Sequence, residues 1–198
     1  MNKEKIYLFD GSDLNDWTTR GTGEIPNWKV EDGIFTVGNG DIISNYQFGD
    51  AHIHVEFRTP DMPEATGQGK GNSGVYVHGC YEIQVLDSYG IEEPQSNDCS
   101  GIYKMHTPLF NACLPPMEWQ TYDIIFRAPR FNKYGEIAEN SRVTVIQNGI
   151  VVHNNVDLIS VTPGGITDGK RPERGPLMLQ DHGNAVSYRN VWVMPLSE

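Results

Sequence analysis

The feature that most constrains the fold is the alternation of apolar and polar residues in the segment NSGVYVHGCYEIQVLDS, residues 72–88. A period of two is typical of a β-strand with one buried side and one polar side, whereas a helix repeats its apolar positions every three to four residues. The segment therefore predicts a strand of a sheet that is covered on one face. The alternation assigns Tyr81, Ile83 and Val85 to the buried side, and Glu82 and Gln84 to the polar side.

The polar side of this strand suggests a chemical site. A β-bulge after Gln84 would add one residue and return Asp87 to the same side as Glu82. Two carboxylates and an amide would then follow one rigid strand, and carboxylate pairs are the usual machinery of glycoside cleavage. We therefore expect a carbohydrate site on this face of a β-sheet.

Further strand-like segments recur along the whole chain, without a convincing helical periodicity between them. Asp32–Gly33 and Asn148–Gly149 each separate two alternating runs, and such Asp-Gly and Asn-Gly pairs favour tight hairpins. His78–Gly79 marks another short hairpin. Hairpins joined by long connections predict an all-β protein, an antiparallel two-sheet sandwich of the jelly-roll type. The length of 198 residues predicts a single domain over residues 1–198.

Four long irregular segments separate these strands. Loops of this length in a compact domain are usually functional or mobile, and loops over one sheet face could form the rims of a cleft. The segments are residues 60–71, 90–100, 107–118 and 164–175.

Composition excludes some partners. A net charge of −11 disfavours nucleic acid and anionic membranes, but it does not oppose a neutral sugar. No run is long and apolar enough to span a bilayer. The start, with Lys3 and Lys5 leading into YLFDG, is not a signal peptide; a cytosolic protein and a chain with its leader removed would both begin this way. The three cysteines, Cys80, Cys99 and Cys113, lack zinc spacing, and their disulfide pairing is left open.

Four motifs occur in the same order as in a known family. They are LFDGSDLNDW, NSGVYV with YEIQVLDSYG, NACLPPMEWQTYDIIFRAP, and LQDHGNAVSYRNVWV. With them the chain resembles the 3-keto-disaccharide hydrolase domain family from about Tyr7 to Leu196. The resemblance implies a concanavalin A-like jelly roll related to lectins and glucanases, and action on glycosides whose sugar is a ketone at carbon 3. Because many relatives are exported, it also implies a periplasmic or secreted protein.

The spacing of Glu82, Gln84 and Asp87 is also similar to the motif of laminarinase-type retaining glucanases, which place Glu, Asp and Glu along a bulged strand. Gln84 cannot ionise, and Asp87 is one methylene shorter than Glu. These departures count against a conventional double-displacement mechanism and favour different chemistry on the same strand.

A 3-keto sugar can be cleaved by removal of the proton on carbon 2, elimination of the group on carbon 1, and hydration. This chemistry needs a base, an acid and a donor for the enolate oxygen. We predict His182 and Glu82 as the proton-transfer pair, without assigning base and acid. His182 follows a predicted strand end in LQDHG, and histidine titrates near neutrality; an exposed turn histidine is the alternative.

Further residues are predicted to bind the sugar. Arg58 could hold the ketone oxygen with Glu56 orienting it, although an ion pair on the wet side of a strand is the plain alternative. Asp87 could instead cap a turn, and the tyrosines could be core residues. The full predicted substrate-binding set is Arg58, Glu56, Asn72, Tyr76, Gln84, Asp87, Tyr103, Lys104 and Gln180.

No metal site or cofactor is predicted. His52, His54 and Glu56 alternate along one strand, but parallel side chains on one strand seldom converge on an ion. A structural calcium would suit the fold, yet the sequence specifies no site for it. The large aromatic residues Trp119 and Trp192 are predicted to lie in the core.

Three functions remain at this point, and the oligomeric state is not predicted. The first is a hydrolase or lyase that cleaves 3-keto-glycosides. The second is a conventional retaining β-glucanase with Glu82 as nucleophile. The third is a carbohydrate-binding module without catalysis.

Overall fold

The structure, a computed structural model, describes residues 4–196. Strands dominate it, and the one short 3-10 helix in this range is Gly67–Gly69. The strands are β1 (Ile6–Phe9), β2 (Trp17–Thr19), β3 (Lys29–Glu31), β4 (Ile34–Thr36), β5 (Ile42–Phe48), β6 (Ala51–Arg58), β7 (Ser73–Val77), β8 (Tyr81–Val85), β9 (Gln120–Arg127), β10 (Arg130–Phe131), β11 (Ile137–Glu139), β12 (Ser141–Gln147), β13 (Ile150–Leu158), β14 (Gly175–Leu179) and β15 (Ser187–Pro195).

Two antiparallel sheets form a sandwich, which confirms the predicted fold class. The larger sheet has the strand order β13-β12-β9-β6-β15-β4-β3, with β1 added beside β15. The smaller sheet has the order β2-β5-β14-β7-β8, and β10 pairs with β11 alone. Strands distant in sequence are neighbours here, as β14 is between β5 and β7, so the long loops cross between the sheets as a jelly roll requires.

The inner faces of the two sheets share one hydrophobic core. Val55 and Phe57 of β6 face it from the larger sheet, and Ile83 and Val85 of β8 face it from the smaller one, each 1% exposed or less. Burial of each such side chain stabilises the fold by about 1.5–3 kcal/mol. The polar residues between them on both strands consequently point away from the sandwich, on opposite outer faces.

The predicted hairpins are present. Asn148 and Gly149 have φ angles of 52° and 80° and join β12 to β13, which is the left-handed pair that a two-residue hairpin needs. Asp32–Gly33 likewise joins β3 to β4. His78, with a φ of 54°, begins the turn between β7 and β8.

The predictions for two tryptophans need correction. Trp119 is only partly buried, and the guanidinium carbons of Arg58 and Arg189 lie 4.9 Å and 4.0 Å from its ring centroid. Trp192 is 5% exposed, but it pairs with His54 across β15 and β6 and stacks on that ring at 5.0 Å. Trp192 therefore lies on the outer face of the larger sheet, because it is paired with His54 and alternates with the core residues Val191 and Val193. Trp119, which precedes β9, lies against the two arginines and outside the core cluster.

Within residues 4–196 no helix is long and apolar enough to cross a membrane. All three cysteines have free thiols in this structure.

Candidate active site

A pocket opens on the outer face of the smaller sheet, over β7, β8 and the end of β14. Its volume is about 110 Å³, below the usual range for sites that enclose a drug-sized ligand, so it is a small pocket that could not enclose a long sugar chain. The residues that line it are Gln68, Asn72, Tyr76, Glu82, Gln84, Tyr103, Pro163, Gly164, Gln180 and His182. Seven of these ten belong to the set predicted from the sequence.

The central residues of the site lie on two paired strands, β7 and β8. Tyr76 of β7 lies directly opposite Glu82 of β8, and Gly74 lies opposite Gln84. Gly74 leaves the room that Glu82 occupies, since a Cβ at position 74 would lie 2.8 Å from Glu82 Oε1. The alternation that predicted a polar face therefore also aligns the acid with its partner.

Glu82 is a buried carboxyl with a pKa near neutrality. The residue is 3% exposed, and burial raises its pKa to about 7. The hydroxyl of Tyr76 donates to Glu82 Oε2 at 2.8 Å and opposes this rise, as does the charge of Lys104, whereas the charge of Asp41 adds to it. A carboxyl tuned in this way can both accept and return a proton at neutral pH.

Tyr76 joins the strands to the pocket rim. Its hydroxyl oxygen lies 3.0 Å from the carbonyl oxygen of Pro163, and Gln180 Nε2 donates to it at 3.2 Å. Burial, and next the nearby Glu82, raise the pKa of Tyr76 far above its ordinary range. The phenol therefore remains protonated, and it serves as a hydrogen-bond donor and not as a base.

Three pocket amides have their carbonyl oxygens free. Gln84 donates through Nε2 to Gln68 Oε1 at 3.1 Å, Asn72 donates through Nδ2 to Gln68 O at 2.7 Å, and Gln180 donates to Tyr76. Within the described residues the amide oxygens of Asn72, Gln84 and Gln180 are buried without a hydrogen-bond partner. An unpaired buried acceptor is costly, so these oxygens are suited to hydroxyl donors of a ligand.

His182 lies on the loop after β14, exposed at the mouth of the pocket. Two hydrogen bonds hold this loop, one within the loop and one to the residue before β7. Asp181 Oδ1 accepts from the amide of Gly183 at 2.8 Å, and Asn184 Oδ1 accepts from the amide of Asn72 at 2.8 Å. The loop is thereby fastened to the start of β7, next to the pocket.

Tyr103 and Lys104 belong to the rim beside β8. The amide of Tyr103 donates to the carbonyl of Glu82 at 3.1 Å. Lys104 has a φ of 58°, and its Nζ lies 5.4 Å from the Tyr103 ring centroid. Lys104 is not among the lining residues, but its positive charge lowers the pKa of Glu82.

The predicted bulge after Gln84 is absent, and Asp87 has another role. The β7–β8 pairing is regular as far as Val85, where β8 ends. Asp87 Oδ2 lies 3.0 Å from Lys70 Nζ, and Asp87 Oδ1 accepts from the amide of Tyr89 at 3.2 Å. This placement agrees with the turn-capping alternative, because a strand that has ended cannot return the side chain to the sheet face.

Arg58 and Glu56 are also separated from the pocket. They lie on β6 of the larger sheet, whose polar face is the opposite outer face of the sandwich. Glu56 pairs with Arg189 at 2.6 Å and accepts from Asn190 at 2.7 Å, and the Arg58 guanidinium lies against Trp119. Period-two alternation distinguishes inside from outside, but it does not tell which sheet a strand joins.

Sequence reasoning missed three lining residues: Gln68, Pro163 and Gly164. Gln68 falls in the irregular segment 60–71 and Gly164 begins the segment 164–175, so loop length was the available signal. Gly164 has a φ of 84°, and a Cβ there would lie 2.6 Å from the Tyr76 hydroxyl. The loop can approach Tyr76 only because this residue is glycine.

His52 and His54 do not form a metal centre with Glu56. His52 Nε2 and His54 Nδ1 instead both contact Asp123 Oδ1, at 3.0 Å and 2.9 Å. In the described part of the chain, no group of three or more His, Cys, Asp or Glu residues could hold a metal ion.

A jelly-roll sandwich with an acid and amides on one sheet face is an arrangement suited to sugar hydroxyls. The chain belongs to the 3-keto-α-glucoside-1,2-lyase-like domain family, whose profile matches residues 4–194. A comparison of this chain with the curated proteins found no match.

Solved structures agree with this family. The chain is 39% identical, with a TM-score of 0.88, to a candidate glycosyl hydrolase from Parabacteroides distasonis ATCC 8503, over 97% of this chain and 84% of that one. A second candidate glycosyl hydrolase from the same organism shares 22% identity at a TM-score of 0.72, over 98% and 94% of the two chains. The second likeness supports the fold alone.

Proposed function

We propose that this protein cleaves 3-keto-glucosides by proton abstraction at carbon 2, elimination at carbon 1, and hydration of the product. The observation that carries the proposal is the buried Glu82, with its pKa of about 7, in a small pocket that is otherwise lined by amides and tyrosines. Membership of a lyase-like family that acts on this class of substrate supports it.

In the elimination step, the Glu82 carboxylate removes the proton from carbon 2. The released electron pair first forms the enolate with the carbon 3 ketone; it then forms the double bond between carbons 1 and 2 as the bond from carbon 1 to the glycosidic oxygen breaks. His182 as imidazolium gives its proton to the departing oxygen. We assign His182 to this role because it lies at the mouth of the pocket, where the leaving group would be.

In the hydration step, both groups return to their starting states. Neutral His182 takes a proton from water as the water oxygen bonds to carbon 1, and protonated Glu82 returns a proton to carbon 2. A primary amide has two N–H groups, and one of those on Gln180 contacts Tyr76. The second is a donor for the developing enolate oxygen on carbon 3.

A retaining glucanase is less well supported. That mechanism needs a second carboxylate about 5–5.5 Å from the nucleophile. Glu82 is the one carboxylate among the described residues that line the pocket, and Asp87 is engaged with Lys70.

The test uses nitrophenyl α-glucoside and its 3-keto derivative, each with the wild type, Glu82→Gln and His182→Ala. We expect cleavage of the keto compound alone, loss in both variants, and deuterium at carbon 2 of the product in heavy water. Equal cleavage of the plain glucoside, or a product without deuterium, would refute the mechanism. Sugar binding without turnover would favour a binding module.

We further propose a periplasmic or secreted location, because the family resemblance implies an exported protein. Fractionation of the native host, with immunodetection of the chain in each fraction, tests it; detection in the cytoplasm alone would contradict it.

A further inference from the structure

Arg20 and Asp41 are an ion pair beside the pocket that lines none of it. Arg20 follows β2, Asp41 precedes β5, and the two strands pair. Arg20 Nη1 donates to Asp41 Oδ2 at 2.9 Å, and the backbone amide of Arg20 donates to the carbonyl of Asp41 at 2.8 Å. The pair therefore extends the β2–β5 ladder by one residue and has a fixed position.

Arg20 holds one side of the pocket. Its Nη1 also donates to the carbonyl of Gly164 at 2.8 Å, and its Nη2 donates to the carbonyl of Gly165 at 3.0 Å. The same rim supplies the Pro163 carbonyl that contacts the Tyr76 hydroxyl. The two nitrogens of the guanidinium thus hold this rim in contact with Tyr76, the hydrogen-bond partner of Glu82. A lysine ammonium group cannot reproduce this two-point contact.

Asp41 holds a second segment of the pocket, the residues after β14. Its Oδ1 accepts from the backbone amide of Asp181 at 2.9 Å, and the neighbouring amide of Gly40 donates to Asp181 Oδ2 at 2.9 Å. Asp181 is the residue between Gln180 and His182. The orientation of both pocket residues therefore depends on this anchor.

The pair also sets the charge around Glu82. The side chain of Asp41 is 15% exposed, and its negative charge raises the pKa of Glu82, while Lys104 lowers it. Tyr76, Tyr103 and His182 are the other titratable groups at the pocket. Arg20 offsets the charge of Asp41.

We propose that Arg20 and Asp41 form a clasp that positions two loop segments of the pocket around Tyr76 and Glu82 without touching substrate. They are positioning residues for the proposed reaction, so the effect on turnover rests on the proposed function. The effect on Glu82 itself does not.

The test compares Arg20→Ala, Asp41→Asn and Arg20→Lys with the control Arg127→Ala. Arg127 forms a 2.6 Å ion pair with Glu139 at the β9 end of the larger sheet, so its loss reports an ion pair remote from the pocket. The Glu82 carboxyl is titrated by carbon-13 NMR without substrate, and kcat and KM are measured on nitrophenyl 3-keto-α-glucoside.

The two main variants should shift Glu82 in opposite directions. Asp41→Asn removes a negative charge and keeps an oxygen for the Asp181 amide, so the pKa of Glu82 should fall. Arg20→Ala leaves Asp41 without its counter-charge, so the pKa of Glu82 should rise. Arg20→Lys should leave this pKa near the wild-type value, and Arg127→Ala should change nothing.

Turnover should reveal the positioning role. We expect kcat to fall about tenfold or more in Arg20→Ala and in Arg20→Lys, because both variants lose the paired guanidinium hydrogen bonds to Gly164 and Gly165. The lysine variant keeps the positive charge, so it separates this loss from the loss of charge. Shifts of Glu82 in the same direction in Arg20→Ala and Asp41→Asn, or no shift in either, would overturn the clasp; so would full kcat in Arg20→Ala. A wild type inactive on the keto substrate would refute the proposed function, while the titration would still decide on the clasp.

Discussion

Replacing Tyr76 by phenylalanine removes the hydroxyl that donates to Glu82 while it keeps the ring. That hydrogen bond stabilises the carboxylate form and is made in a buried site, with Glu82 3% exposed. A hydrogen bond to a charged group contributes about 1.5–3 kcal/mol, and one pKa unit corresponds to about 1.4 kcal/mol. Its loss should therefore raise the pKa of Glu82 from about 7 by about one to two units.

The pH dependence of kcat/KM measures this change, since it reports the ionisation of the free enzyme. The basic form of Glu82 would become scarce at pH 7, so activity there should fall by roughly five- to fifty-fold and recover toward pH 9. Tyr89→Phe is the matched control, because Tyr89 is 56% exposed and outside the pocket lining. If the pKa seen in the kcat/KM profile of Tyr76→Phe equals that of the wild type, or is lower, the assignment of Glu82 as the base is refuted.

Three further changes test the site and its surroundings. Between pH 4.5 and about 7 the native state keeps the Glu82 proton that the unfolded chain releases, so the carboxyl lowers the free energy of unfolding as pH rises through that window. In denaturant titrations, Glu82→Gln should therefore raise the free energy of unfolding by about 3 kcal/mol at pH 8 and change it little below pH 4.5. Equal increases at both pH values would contradict this. Gly74→Ala should abolish most turnover, because its Cβ would lie 2.8 Å from Glu82 Oε1, whereas Gly69→Ala, with no heavy atom within 4 Å of the new Cβ, should retain turnover. Arg58→Ala should leave KM within about twofold, and a larger rise would return Arg58 to the substrate site.

Strand alternation and turn chemistry made much of the fold predictable. The hairpin between β12 and β13 follows from Asn148–Gly149, and the polar face of β8 follows from the period of two. Both depend on local backbone geometry, which neighbouring residues determine. For the same reason the strand pattern alone is enough to place Glu82 and Gln84 on one polar face.

The partner of each strand was not predictable in the same way. β6 alternates as cleanly as β8, yet it joins the other sheet, so Arg58 and Glu56 face away from the pocket. Which of two sheets a strand joins depends on contacts between segments far apart in the chain. The end of β8 at Val85, which leaves Asp87 with Lys70, is likewise a result of tertiary packing.

The sequence alone determined the fold class and the family and singled out Glu82 as a candidate, because each of these depends on residue type and short-range order. Only the tertiary structure decided that Glu82 is buried against Tyr76, that loop residues such as Gln68 and Gly164 complete the pocket, and that Arg20 and Asp41 join two of its segments. The carbonyl of Gly164 is 144 residues from Arg20, and only the packing of the loop over β7 brings the two to 2.8 Å. Burial and charge, which tune Glu82, exist only once such distant segments are packed together.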